Sequence, residues 1–90
     1  MYDDLNRLLS FCSVRHALLA EEVMQRLGIP GALVPTPRKL GIHCGQCMLF
    51  QAEKQEQILT LLQEKNIRWS KLFIRNISAD TYELYIENDD

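Results

Sequence analysis

The sequence predicts an α+β fold with elements in the order β-α-β-β-α-β and one extra strand at the C-terminal end. Three observations carry this expectation. Two stretches place apolar residues at helical spacing, residues 14–27 and 53–66. Short apolar or alternating runs bounded by Gly, Pro, Asn and Asp lie before, between and after them. A strand-helix-strand pattern therefore occurs twice, in loose internal symmetry. That order is the split βαβ, or ferredoxin-like, arrangement: an antiparallel sheet with two helices on one face. Right-handed crossovers then put the first strand beside the third.

Leu8-Leu9-Ser10-Phe11-Cys12-Ser13 reads as the first strand, with Leu9 and Phe11 on one face and Ser10 and Cys12 on the other. Ser13 is placed to cap a helix, because a helical pattern follows at once through Ala17, Leu18, Ala20, Val23, Met24 and Leu27. Gly28 supplies the stop, and Pro30 lies just beyond it. Residues 29–34 read as the second strand, ended by Pro35 and Pro37. Gln46 to Phe50 is the third, with Cys47 and Leu49 on one face and Met48 and Phe50 on the other. The second helix has an apolar side of Ile58, Leu59, Leu61 and Leu62, and Asn66 as its stop. Residues 69–77 form the fourth strand. Residues 81–87 form the fifth, with Tyr82, Leu84 and Ile86 alternating against Glu83, Tyr85 and Glu87. Leu9, Phe11, Val23, Leu27, Leu33, Leu49, Ile58 and Leu62 are expected in one core between helices and sheet. The helix-free face is expected to present Cys12, Met48 and Phe50, where it would support a homodimer or a small ligand.

Composition narrows the function classes. The chain has 90 residues, the length of a single domain spanning 1–90. A hydrophobic fraction of 47% and a charged fraction of 24% describe an ordinary globular chain with a small core. The net charge of −2 provides no basic footprint for nucleic acid. No apolar run approaches the roughly 20 residues of a membrane span. The start, Met1-Tyr2-Asp3-Asp4, lacks the basic and apolar regions of a signal peptide, which argues for a cytoplasmic protein. Three cysteines in such a compartment are thiols, metal ligands or redox groups rather than a disulfide framework. No cofactor signature and no complete catalytic signature is present, so the residues favour a non-enzymatic protein over an enzyme.

Residues 35–47 concentrate the chemistry: two prolines, two glycines, Arg38, Lys39, His43, Cys44 and Cys47 between apolar runs. Shaped loops on rigid scaffolds often carry function. The predicted topology puts this loop at the end of the sheet where the first strand ends and the first helix and fourth strand begin. Cys12, Ser13, Arg15, His16, Arg38, His43, Cys44 and Trp69 are thereby expected to gather. A thiolate at Cys44 would be stabilised by the helix N-terminus and by Arg38, which lowers a cysteine's pKa and makes it nucleophilic. The plain alternative is a loop cysteine of ordinary reactivity. His16 in the first helical turn reads either as a surface group or as a neutral hydrogen-bond partner to Cys44. Arg38 is an anion-binding group or a solvated loop arginine. Trp69 is a packing residue before it is a stacking platform.

Cys44-Gly45-Gln46-Cys47 is a C-x-x-C, but a strand follows it where thioredoxin-like chemistry needs a helix. Cys47 reads first as a small apolar strand residue. Zinc held by Cys44 and Cys47, with Cys12, His16 or His43 completing a tetrahedral set, is a weaker alternative, since no second ligand pair stands at the required spacing. Cys44 is expected to be more exposed and more reactive than Cys12 or Cys47.

Phe11-x-Ser13, His16-Ala17, Glu21, Gly28-Ile29-Pro30, Pro35-Thr36-Pro37-Arg38 and Cys44-Gly45 together resemble a small bacterial family of selenium/sulfur carrier-like proteins. The resemblance spans residues 8–69, and Thr36-Pro37-Arg38 followed by Cys44-Gly45 is its most specific part. It implies that sulfur or selenium is held on Cys44 and passed to a transfer partner, without a cofactor, with Pro37 and Arg38 shaping the loop. Cys44, Arg38 and His16 are the implied reactive group, and Ser13, Arg15, Thr36, Pro37 and Gly45 the implied binding group. Two positions depart from the pattern. Cys47 stands where the family more often has an apolar residue, and Val14 where a small polar residue is common. The rival readings are a ferredoxin-like interaction module without chemistry, and a thiol-redox or zinc protein using Cys44 and Cys47.

Overall fold

Two helices end in the same way, and those ends aim the chain back onto the sheet. The computed structural model describes residues 4–42 and 45–88. The first helix, α1, is Val14–Arg26, and the second, α2, is Gln55–Glu64. After α1, Gly28 takes a left-handed φ of 69°, its amide donates to Gln25 O, and Ile29 N donates to Met24 O at 2.9 Å. After α2, Asn66 takes φ 58°, its amide donates to Gln63 O, and Ile67 N donates to Leu62 O at 2.9 Å. Both are Schellman motifs. Each returns an isoleucine, Ile29 or Ile67, to the core beside the helix it follows. Gly28 suits its conformation because it has no Cβ, and Asn is among the few other residues that tolerate it. The stops expected at Gly28 and Asn66 are both observed. The second helix opens later than expected, through a 3-10 turn at Ala52–Lys54. That turn is seated by Ala52 N donating to Asn6 Oδ1 at 3.0 Å.

The chain is α+β, with a five-stranded antiparallel sheet. Its strands are β1 Arg7–Phe11, β2 Gly31–Pro35, β3 Gln46–Phe50, β4 Trp69–Asn76 and β5 Thr81–Glu87, in the order β2-β3-β1-β4-β5. The first strand pairs with the third, as expected, through Leu9↔Met48 and Ser10↔Cys47. It ends at Phe11, before the Ser13 limit expected: Cys12 N still donates to Arg68 O opposite it, and Ser13 then caps α1. β4 lies on the other side of β1, with Leu9↔Leu72 and Phe11↔Trp69.

Two apolar clusters cover the two faces. One contains Leu9, Phe11, Met48, Phe50 and Leu72 from the sheet, Ala17, Ala20 and Met24 from α1, and Ile58 and Leu62 from α2. Both helices therefore pack on one face. The other contains Leu5, Leu8, Cys47, Leu49 and Phe73, with no residue from either helix. Several expectations are corrected here. Met48 and Phe50 lie under the helices, not on the helix-free face. Leu49 belongs to the opposite cluster, away from Leu9 and Leu62. Leu27 caps α1 and is 58% exposed. Val23 and Leu33 are only partly buried against the helix-side core. In β5 a register shift pairs Leu72 with Ile86 and Phe73 with Leu84, leaving Tyr85 as the extra residue. The alternation breaks there: Ile86 joins the helix-side core and Tyr82 the opposite cluster.

These positions separate two substitutions that look alike in sequence. Leu62→Ala empties a fully buried site and is expected to cost about 2–5 kcal/mol. Leu27→Ala acts on an exposed residue and is expected to stay within about 0.5 kcal/mol. Urea denaturation of both variants checks the pair, and equal costs would refute the assignment of Leu27 to the surface.

Candidate functional site

The end of β1 is held by a short set of backbone bonds. Ser13, in extended conformation, caps α1 by accepting from His16 N at 3.4 Å. Ala17 N donates to Ser13 O. The amides of Val14 and Arg15 open the helix, where no intrahelical acceptor exists. No acidic residue stands in that first turn. A helix start of this kind favours an anion. His16 is half-buried, and its Nδ1 accepts from Arg68 N at 2.9 Å. Arg68 O accepts in turn from Cys12 N at 3.2 Å. Arg68 thus ties the end of β1 and the first turn of α1 to the start of β4. The imidazole nitrogen left for another partner is Nε2.

Of the expected gathering, Cys12, Ser13, Arg15, His16 and Trp69 lie together at this end. Trp69 pairs with Phe11 and packs against the helix-side core, as its packing role requires. Cys12 stands past the end of β1 and is exposed, not turned to a strand face. Arg15 is exposed. His43 and Cys44 lie outside the described residues. Gly45, which follows them, comes to the helix: a Cβ built on it would lie 4.0 Å from Val14 Cγ2.

The rest of the loop takes a different course. Pro37, at φ −59°, leads into a 3-10 turn at Arg38–Leu40. Leu40 and Ile42 are half-buried against Leu5, Leu8, Cys47, Leu49 and Phe73 on the helix-free face. Lys39 Nζ donates to Asp80 O and lies 5.4 Å from the centre of the Tyr82 ring. Arg38 is exposed on this turn, and no contact with α1 is recorded for it among the described residues. The base of the loop is closed by the Pro35↔Gln46 pair and by Thr36 N donating to Gly45 O at 3.1 Å. The Thr36 hydroxyl is 3.2 Å from Cys47 Sγ. Cys47 is 0% exposed on β3, in keeping with a small strand residue.

Among the described residues, no group of three or more His, Cys, Asp or Glu is arranged to hold a metal ion. The zinc alternative depends on Cys44, which is outside them. A cleft of about 450 Å³ opens beside the same end, lined by Gln63, Asn66, Arg68, Trp69 and Asn88 among others.

Sequence reasoning missed Arg68 and the loop's path. Arg68 acts through its backbone, which leaves no side-chain signature. The path had a signal in the apolar pair Leu40 and Ile42, spaced two apart within an otherwise polar loop.

Ser13→Ala is expected to destabilise the chain by about 0.5–2 kcal/mol, and Ser13→Asp to recover most of it. Thermal or urea unfolding measures both. Full stability in Ser13→Ala would show that the 3.4 Å cap bond contributes nothing.

No helix among the described residues is long and apolar enough to cross a membrane. No curated protein and no solved structure matches the chain. The family model described as "Putative Se/S carrier protein-like" matches residues 6–74, which is more than half of the sequence and includes β1 to β3, both helices and most of β4. The chain belongs to that family.

Proposed function

We propose that the chain is a carrier that holds sulfur or selenium on Cys44 and hands it to a partner protein. The family supports the activity class. The observation that carries the assignment to Cys44 is the seat of the next residue, Gly45, against Val14 at the start of α1. A loop thiolate beside that start would meet the Val14 and Arg15 amides, the Ser13 cap and the open Nε2 of His16. Loading from a persulfide donor is then a simple displacement. The Cys44 thiolate attacks the donor's outer sulfur, the donor's S–S bond breaks, and the donor leaves as a thiolate. The sulfur moves without net oxidation, and selenium in its place follows the same course. Arg38 contributes positive charge from the same loop, Pro37 stiffens the approach, and Thr36 closes the loop base against Gly45. A cytoplasmic location belongs to this reading, because thiols persist in a reducing compartment. So do the single domain and the ferredoxin-like assignment of β1 to β4, which the order β2-β3-β1-β4 supports.

Intact-mass spectrometry of chain purified without reductant tests the proposal. The expected result is an adduct of one sulfur or one selenium that disappears in Cys44→Ser. Loss of two hydrogens instead would replace the carrier with a Cys44–Cys47 redox pair, and bound zinc would replace it with a metal site. Arg38→Ala is expected to slow alkylation of Cys44 at neutral pH. An unchanged rate would remove Arg38 from the site while leaving the carrier intact.

A further inference from the structure

We propose that residues 37–42 form a releasable strap over the helix-free face, with Lys39 as its catch and the Cys47 thiol as the group it keeps from solvent. This inference is independent of the carrier reading. It rests on how unequally the two ends of the strap are held. At its base the chain runs into the β2–β3 ladder, through Val34↔Cys47 and Pro35↔Gln46, with Thr36 N to Gly45 O beyond them. At its far end it is held by one exposed lysine. Lys39 reaches the turn between β4 and β5, with its ammonium on Asp80 O and near the Tyr82 ring. Exposed contacts of an ammonium with a carbonyl or a ring are weak in water, because the charge is almost as well solvated without them.

Beyond the catch, among the described residues, the strap packs Leu40 and Ile42, each half-buried, against the helix-free cluster. What lies beneath differs. Leu8 and Cys47 are both 0% exposed, and Leu49 and Phe73 are buried beside them. The cover is thus held far less firmly than the surface it covers. Gly41, at φ +63° with nothing within 4 Å of a built Cβ, lies between the two apolar residues and turns the chain. Among the described residues, lifting the strap breaks the catch and the packing of Leu40 and Ile42, and leaves the β-ladder and the helix-side core intact. Segments with few buried contacts open at a lower free energy than the whole chain unfolds. The Cys47 thiol and the Thr36 hydroxyl beside it are then uncovered together.

The test is native-state alkylation of Cys47 in the full chain carrying Cys12→Ser and Cys44→Ser. Removing Cys44 makes the result independent of any sulfur or selenium chemistry. The rate is followed by mass spectrometry across sub-denaturing urea, alone and with Lys39→Ala or Leu40→Ala added. A local strap predicts a rate nearly flat in urea. It predicts a rise of roughly 2–10-fold in Lys39→Ala, with the global unfolding constant rising by no more than the same factor and the urea slope of unfolding unchanged. Leu40→Ala is expected to raise it further. A urea slope equal to that of global unfolding would overturn the strap, since Cys47 would then react only from the unfolded chain. An unchanged rate in Lys39→Ala would overturn the catch. Leu62→Ala, on the other face, is the control. It lowers global stability and is expected to leave the rate at zero urea unchanged, and a parallel rise there would also overturn the proposal.

Discussion

The structure depends on a strand that is covered on both sides. Leu8, Leu9 and Ser10 are each 0% exposed, and Phe11 is nearly so. A strand of this kind must be flanked by other strands and sandwiched by apolar groups above and below. β1 meets the first demand through β3 and β4. It meets the second with helices over Leu9 and Phe11, and with the opposite cluster around Leu8. Ser10 is the one polar side chain in this run. Its hydroxyl lies 2.6 Å from Ser70 Oγ and accepts from Lys71 N at 3.0 Å. That pairing sits where the β1–β4 register shifts, so the serine satisfies an amide that the irregular ladder leaves over. A buried hydroxyl without partners would cost about 1–3 kcal/mol.

The position of β1 decides where the chemistry gathers. Because it is central, its end is surrounded by the start of α1, the base of the β2–β3 loop and the start of β4. Small residues let the layers close on that end. Ala17 and Ala20 bring α1 down onto the sheet. Gly31 does the same at the helix's far end, where an added Cβ would meet Met24 Cε at 2.6 Å and Leu49 O at 3.2 Å. With α1 held close, its first amides point from a rigid scaffold, and Arg68 locks them through Cys12 and His16. In the proposed carrier, a loop thiolate would gain a fixed positive environment from this arrangement, at no conformational cost when the sulfur or selenium arrives.

The two faces of the sheet are closed by different means. One is packed by helices whose Schellman ends fold Ile29 and Ile67 into the same core. The other is closed by the β2–β3 loop itself, which bears Arg38 and Lys39 outward and Leu40 and Ile42 inward. The stretch that concentrates the chain's unusual chemistry thus also contributes Leu40, Ile42 and Cys47 to its second core. Packing and reactivity are not independent there, and substitutions in that loop act on both.

The sequence by itself determined the local elements. Helical periodicity, the Ser13 cap, the Gly28 and Asn66 stops and the strand at Gln46–Phe50 all rest on interactions within a few residues, so local pattern carries them. The pairing of the first strand with the third followed from handedness alone. Tertiary structure decided which sheet face the helices would cover. Leu8 and Leu9, or Met48 and Leu49, are about equally apolar, so alternation sorts them into two sets without naming the inner one. Alternation alone therefore leaves open which face Leu49, Met48 and Phe50 take, and the turn at the end of α1 is what exposes Leu27. The candidate site divides in the same way. Ser13 was legible from capping, whereas the bond from Arg68 N to His16 was not. Arg68, which acts through its backbone, and Lys39, which reaches Asp80 across 41 positions, depend on long-range contacts that only the closed sheet creates.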